Sequence, residues 1–159
     1  MKRFFSIIIL LFITLITSCN SDTENEGIFD DSNNVSSYEK EILELINNYR
    51  KDKSLPSLKL LAIIKTQTDK HTDYMIAKGE ISHDNFGTRS NYLQTNAQAK
   101  ATAENVASGY STATSVVNGW LNSDGHRKNI EGNYTHFHLT AKKSPANKWY
   151  YTNIFIRKD

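Results

Sequence analysis

The chain has 159 residues, of which 38% are hydrophobic, and it carries 19 Lys and Arg against 17 Asp and Glu. This near balance excludes the basic footprint that nucleic-acid binding needs, and a single cysteine excludes an intramolecular disulfide. The length fits one main domain with a hydrophobic core.

The first 18 residues have the pattern of an export signal. Lys2 and Arg3 precede an apolar run that begins at Phe4, which is the order of the n-region and h-region of a signal peptide. A membrane-spanning helix needs about 20 apolar residues, and polar residues interrupt this run after Cys19. We therefore predict that residues 1–18 are cleaved, which leaves 17 basic residues against 17 acidic ones.

Cys19 ends this signal in the sequence Ile16-Thr17-Ser18-Cys19. The segment resembles the lipobox of bacterial lipoproteins, in which small residues precede a cysteine that becomes the acylated first residue of the mature protein. A lone exported thiol suits this use. The alternative is an ordinary signal peptide with an incidental cysteine. We predict that Cys19 is lipidated and anchors the protein to a membrane of the cell envelope.

A polar and acidic stretch follows, in which Ile28 and Phe29 are the only large apolar side chains before residue 35. This composition predicts a flexible tether over residues 19–34, with the globular domain at 35–159. Acidic residues just after a lipidated cysteine also resemble the surface-export signal of some Gram-negative lipoproteins. That resemblance implies an exported protein on the outer membrane, at the cell surface.

The first part of the domain predicts two helices. Ser36 and Glu39 have the spacing of a capping box, and apolar residues then recur at helical spacing as far as Arg50. A second helical pattern ends near Gly79. His71 lies on its apolar stripe, and we interpret it as a core residue.

The middle of the domain has weaker patterns. Residues 81–98 are polar and aperiodic, and we predict a long ordered loop there, of the kind that tends to be functional. Apolar residues from Ala113 to Trp120 indicate a third helix, which we expect to end at Asp124 and Gly125.

Two alternating segments at residues 134–142 and 149–157 predict a β-hairpin. The order of helices followed by strands indicates an α+β fold, with helices packed on an antiparallel sheet. His136 and His138 are two residues apart on the first strand, so both imidazoles should point to its less buried face. They could ligate one metal ion or be solvated, and spacing leaves both interpretations open.

Several short motifs occur in the same order in one known family. They are Ser82-His83, Ala103-Glu104-Asn105-Val106-Ala107, Trp120-Leu121-Asn122-Ser123-Asp124-Gly125-His126-Arg127 and Tyr134-Thr135-His136. From about Ser37 to Phe155 the chain resembles the CAP superfamily of cysteine-rich secretory, antigen 5 and pathogenesis-related proteins, and most closely its bacterial branch without disulfides. The resemblance implies a three-layer α-β-α sandwich with a large open cleft.

The resemblance also implies the residues that line the cleft. By position, His83 and His136 correspond to the paired cleft histidines of the family, and Glu104 corresponds to the acid of its Gly-Glu-Asn motif. Some members hold a divalent metal in this cleft. Imidazole and carboxylate suit zinc, so zinc or another divalent cation at His83, Glu104 and His136 is the implied metal site.

Three departures from the family pattern affect this site. The second cleft glutamate of the family is absent near Ser123, so either the site is weaker or His126 substitutes for it. Ala103 replaces the usual glycine before Glu104, which matters if that position needs a positive φ. His138 stands where glycine is common, and it either adds a ligand or narrows the groove. The candidate cleft residues are therefore His83, Glu104, His126, His136 and His138.

Three functions follow as hypotheses. The leading one is a non-catalytic module whose cleft binds a small ligand, lipid, peptide or glycan, with or without a divalent metal. The second is a metal-dependent hydrolase, with metal-bound water as nucleophile and Glu104 or His126 as general base. The third is an envelope or adhesion scaffold with a vestigial cleft. The sequence supplies candidate groups for hydrolysis but not their geometry, and family membership alone does not settle activity.

Overall fold

The computed structural model describes residues 35–159, so the predicted signal peptide, the lipidation site Cys19 and the tether lie outside the described residues. The elements in chain order are α1 (Ser37–Asp52), β1 (Lys59–Leu60), α2 (Ala62–Lys78), α3 (Phe86–Ala97), β2 (Ala101–Ser108), α4 (Ala113–Leu121), α5 (Asp124–Glu131), β3 (His136–Lys143) and β4 (Trp149–Arg157). Within this part of the chain, no helix has both the length and the apolar character that crossing a bilayer requires.

The strands form one four-stranded sheet in the order β1-β3-β4-β2. The predicted hairpin is confirmed as β3 and β4, and β4 also pairs antiparallel with β2. The short β1 pairs parallel with β3, with Lys59 opposite His136. Two residues are too few to show alternation, which is why no sequence pattern indicated β1.

Helices cover both faces of this sheet. On one face, α1, α4 and α5 pack through a core that includes Ile46, Trp120 and Phe155. On the other face, α2 and α3 pack through Ile64 and Leu93. The predicted α+β class and the three-layer α-β-α sandwich are confirmed.

The start of α1 and the end of α2 are also as predicted. Ser36 Oγ accepts the Glu39 N–H at 3.2 Å, and the Glu39 carboxylate accepts the Ser36 N–H at 3.0 Å, which is a reciprocal capping box. The other oxygen of Glu39 accepts the N–H of Ala141 in β3 at 2.9 Å, so the cap also fixes α1 to the sheet. Gly79 ends α2 with φ of 82°, a left-handed conformation that favours glycine.

The prediction of a long loop at residues 81–98 is wrong, because most of this segment is helix α3. The side chains that α3 buries are Arg89, Leu93 and Ala97, one in every four residues. A stripe this narrow, with a charged residue as one of its three members, shows little apolar periodicity in the sequence. The strand β2 follows directly, so strands and helices alternate in this part of the chain.

The predicted end of the third helix also needs correction. The helix α4 ends at Leu121, and Asp124 begins the separate helix α5. Two α5 side chains bond backbone: Arg127 Nη1 donates to the Leu121 carbonyl at 3.2 Å, and Asn129 Nδ2 donates to the Glu104 carbonyl at 3.2 Å. The second bond fixes α5 against β2.

Candidate functional site

The structure brings His83 into contact with Glu104. Glu104 lies in the middle of β2 with its side chain 1% exposed, whereas His83, between α2 and α3, has its side chain 53% exposed. His83 Nδ1 lies 2.9 Å from Glu104 Oε1. A carboxylate can only accept a hydrogen bond, so Nδ1 carries the proton. The neutral ring then has its lone pair on Nε2.

Arg89 of α3 also binds Glu104. Arg89 Nε donates to Oε2 at 2.8 Å and Nη2 donates to Oε1 at 2.8 Å, a two-point geometry that is strong and directional. Nη1 donates to the Asp84 carbonyl at 2.7 Å, next to His83. The ion pair is buried, with side-chain exposures of 8% and 1%. A buried ion pair adds little net stability, so stability alone does not account for this one. Its position beneath an exposed histidine points to a functional site.

His71 of α2 lies on the buried side of the same acid. Its Nε2 is 2.7 Å from the Ser82 carbonyl and 3.9 Å from Glu104 Oε1, and its ring stacks on Tyr74. Burial lowers the pKa of His71, and the charge of Glu104 opposes this effect. The predicted core role is confirmed, and through Ser82 this core histidine positions the segment that carries His83.

His126 of α5 is the second imidazole near the exposed side of the site. Burial lowers the pKa of this half-buried side chain, and the charge of His83 lowers it further, so the two histidines are electrostatic neighbours. The backbone carbonyl of His126 accepts Asn105 Nδ2 at 3.1 Å, beside Glu104 on β2. The structure therefore gathers His83, Glu104, Arg89 and His126, which we call the His83 site.

His138 lies on the same face of the sheet as Glu104, but it is inside the core. It is opposite Ile154, which is opposite Glu104, so two strand spacings of about 10 Å in total separate it from the acid. Its exposure is 0%, and the Leu139 N–H donates to its Nδ1 at 2.9 Å. The expectation that this face is less buried is wrong at His138, because α2 and α3 cover it.

His136 is further from the acid than His138. It is two residues further along β3, and strand geometry gives a Cα separation from Glu104 of about 12 Å. Its Nδ1 lies 2.9 Å from Thr135 Oγ1. Burial lowers its pKa, and the charges of Lys158 and Lys59 lower it further. The charged neighbours of His136 are therefore cations, not Glu104.

The residues present do not fit a divalent metal. Among residues 35–159, no group of three or more His, Cys, Asp and Glu is placed to hold one. More directly, the guanidinium of Arg89 occupies both oxygens of Glu104 and would repel a second cation. The assignment of zinc or another divalent cation to His83, Glu104 and His136 stays a prediction that this geometry does not support.

A separate apolar groove of about 440 Å³ lies between α1 and the β1–β3 edge of the sheet. Leu43, Leu58 and Phe137 are among the residues that line it. Phe137 belongs to the core on the α1 side, whereas Glu104 points to the α2 side. The groove and the His83 site therefore belong to opposite faces of the sheet.

Arg89, the residue that sets the charge of the site, is not among the residues indicated by the sequence. It lies in the segment predicted as a polar loop, where an arginine has no expected partner. Its spacing of four residues from Leu93 and of eight from Ala97 is the signal that could have placed it on the buried side of a helix.

Comparison with known proteins identifies the family. The family model described as "CAP: Cysteine-rich secretory protein family" matches residues 43–155, and the chain belongs to this family. It is 32% identical over 128 residues to "Uncharacterized protein YkwD" of Bacillus subtilis (strain 168), covering 78% of this chain and 49% of YkwD. It is 30% identical over 124 residues to "Uncharacterized membrane protein YlbC" of the same organism, covering 76% and 34%. The chain thus spans about half the length of the first relative and a third of the second.

Solved structures agree with this assignment. An extracellular protein containing an SCP domain from Bacillus anthracis str. Ames has a TM-score of 0.65 at 29% identity, covering 76% of this chain and 40% of its own. An outer surface protein from Borrelia burgdorferi has a TM-score of 0.68 at 22% identity, covering 76% and 92%. The second similarity shows the fold alone.

The buried ion pair generates a stability prediction. Glu104→Ala should lower the free energy of unfolding by about 3–5 kcal/mol, because it leaves the Arg89 guanidinium buried without an opposite charge. The double variant Arg89→Met/Glu104→Leu should recover most of this loss. Urea denaturation followed by circular dichroism measures both changes. The control is Asp124→Ala, which removes the partner of the more exposed Arg127 and should change little. A loss for Glu104→Ala no larger than the control's would contradict the prediction.

The buried histidine generates a prediction about pH. Burial lowers the folded pKa of His71 below its ordinary 6.5, so the unfolded chain takes up the proton first as the pH falls. Stability is therefore full above the unfolded pKa and is lost as the pH falls toward the folded pKa. We expect a lower free energy of unfolding at about pH 5 than at about pH 7.5, and a smaller difference in His71→Gln. An unchanged difference in that variant would assign the effect to His126, His136 or other groups.

Proposed function

We propose that the protein is an exported, lipid-anchored CAP-domain protein that binds a ligand at the His83 site without catalysing a reaction. The observation that carries this proposal is an exposed imidazole held in one orientation by a buried acid. His83 has a 53% exposed side chain, yet its Nδ1 is bonded to Glu104. A fixed polar group on a surface binds a ligand with little loss of side-chain entropy.

The contacts of the site favour binding over hydrolysis. Glu104 has both oxygens bonded to Arg89, so it has little capacity to act as a general base. His83 and Glu104 alone form the base and the orienting acid of a nucleophilic dyad, but among the described residues no hydrogen bond joins the Ser82 hydroxyl to His83, and this hydroxyl accepts the Asp84 N–H at 3.1 Å. The charge that acts on the pKa of His126 is that of His83, not that of a carboxylate. These contacts support a binding role.

The proposed location rests on the N-terminal sequence. Residues 1–18 have the pattern of an export signal, and Cys19 follows it at the position that acylation requires. A similar protein, that of Bacillus anthracis, is described as extracellular. These features support a domain outside the cytoplasm that is tethered through lipidated Cys19, and the acidic residues after Cys19 are the basis for proposing the surface of the outer membrane.

Lipidation is tested with the full-length chain in a bacterial host that processes lipoproteins. The wild-type protein should enter the detergent phase of a Triton X-114 partition and carry label from palmitate, because acyl chains bury many CH₂ groups. Cys19→Ser should lose the palmitate label, while Ser21→Ala, two residues away, should behave as wild type. A Cys19→Ser protein that still carries the label would contradict the anchor at this residue. Protease treatment of intact cells then tests exposure on the cell surface.

Ligand binding is tested by calorimetry on the chain from Asn20 onward, which keeps every described residue. The probes are palmitate, chitohexaose and a defined mixture of tryptic peptides, so that lipid, glycan and peptide are compared directly. At least one probe should bind, and His83→Ala should weaken it about tenfold or more, because each factor of ten is only about 1.4 kcal/mol. His136→Ala, a matched loss of a histidine on β3, should leave binding unchanged.

Other results would assign other functions. Cleavage of a fluorogenic peptide or a p-nitrophenyl ester that is lost in His83→Ala would establish a hydrolase. Binding that survives in His83→Ala would place the ligand elsewhere, with the α1 groove as the next candidate. No binding of any probe would favour the envelope or adhesion scaffold.

A further inference from the structure

We propose that Arg89 is the fixed cation of the His83 site and takes the place that a divalent metal would have beside Glu104. This inference concerns the cation chemistry of the site. It goes beyond the proposed function and does not depend on identifying a ligand.

Groups of this chain bind both oxygens of the Glu104 carboxylate. Its Oε1 accepts from Arg89 Nη2 at 2.8 Å and lies 2.9 Å from His83 Nδ1, and its Oε2 accepts from Arg89 Nε at 2.8 Å. A metal ligand needs an oxygen lone pair and a net negative charge at the site. Arg89 opposes both, because its two donors take one lone pair on each oxygen and its charge cancels that of the acid.

Arg89 is itself held rigidly. Its third donor group, Nη1, bonds the Asp84 carbonyl at 2.7 Å, and the guanidinium lies over the ring of Phe86 at 5.8 Å. An arginine side chain stays charged at every pH at which proteins fold. Unlike a bound metal, this cation therefore cannot be removed by chelators or by mild acid.

The surroundings of Glu104 show what Arg89 prevents. His83 Nδ1 at 2.9 Å and His71 Nε2 at 3.9 Å both lie near Oε1 of the acid. Two imidazole nitrogens and one carboxylate are the donors of many zinc sites, but here both nitrogens carry protons, since Glu104 and the Ser82 carbonyl can only accept hydrogen bonds. To bind zinc, each ring would have to move its proton to the other ring nitrogen, and His71 would have to release Ser82. Without the guanidinium the site has a net negative charge that favours this exchange, so we expect that replacement of Arg89 alone creates zinc affinity.

The test is a titration with Zn²⁺ alone, by calorimetry on the chain from Asn20 onward, with Co²⁺ absorption as a spectroscopic check. The wild-type protein should give no saturable binding up to about 1 mM. Arg89→Gln should bind Zn²⁺ at least about tenfold more tightly and show the Co²⁺ visible band of a nitrogen and oxygen site. Arg127→Gln removes the same charge from a more exposed pair and should behave as wild type. His83→Ala in the Arg89→Gln background should abolish the gain.

Two results would overturn the inference. One is wild-type Zn²⁺ binding that His83→Ala removes, since the site would then hold metal with Arg89 in place. The other is a folded Arg89→Gln protein without any gain. If Arg89→Gln unfolds without metal, Zn²⁺ should restore its thermal transition and leave the wild-type transition unchanged, because a ligand that binds only the native state stabilises it. A variant that stays unfolded with Zn²⁺ also overturns the inference.

Discussion

The buried carboxylate of Glu104 is the constraint on which the site depends. The strand β2 places it on the face of the sheet that α2 and α3 cover, where an uncompensated charge is very costly. Arg89 compensates this charge, but only when α3 packs with its buried face, which carries Arg89, toward β2. The same packing carries the preceding segment, with His83, to the acid. The geometry of the exposed site therefore follows from the neutralisation of one buried acid.

A second set of polar contacts fixes α2 on the same face. Hydroxyl pairs join this helix to the sheet, Thr68 with Thr140 at 2.7 Å and Thr72 with Thr152 at 2.8 Å. Buried hydroxyls must be paired, so these contacts allow few alternative positions of the helix. His71 on α2 bonds the Ser82 carbonyl, while Arg89 on α3 bonds the Asp84 carbonyl. The residues on both sides of His83 are thus held, each by a different helix.

Local periodicity decides how much of this structure could be predicted from the sequence. The helices α1 and α2 and the β3–β4 hairpin have strong local periodicity, and they were predicted close to their observed bounds. In β2 all five residues from Ala103 to Ala107 are buried, so it shows no alternation, and in α3 the buried stripe contains Arg89. The motifs indicated His83, Glu104 and His126 as candidates, but not that β4 lies between His136 and the acid. Strand order is a long-range property that local spacing does not contain.

The role of Arg89 shows how one residue changes the chemistry of a family fold. A metal site depends on pH and on metal supply, since its ligands must be deprotonated and the ion must be available. A domain outside the cytoplasm meets variation in both. An arginine that is part of the chain supplies the positive charge under all these conditions, so His83 Nδ1 keeps the same partner. The atom left for a ligand is then always Nε2 of His83, and the specificity of the site depends on what that one atom and the nearby His126 can bind.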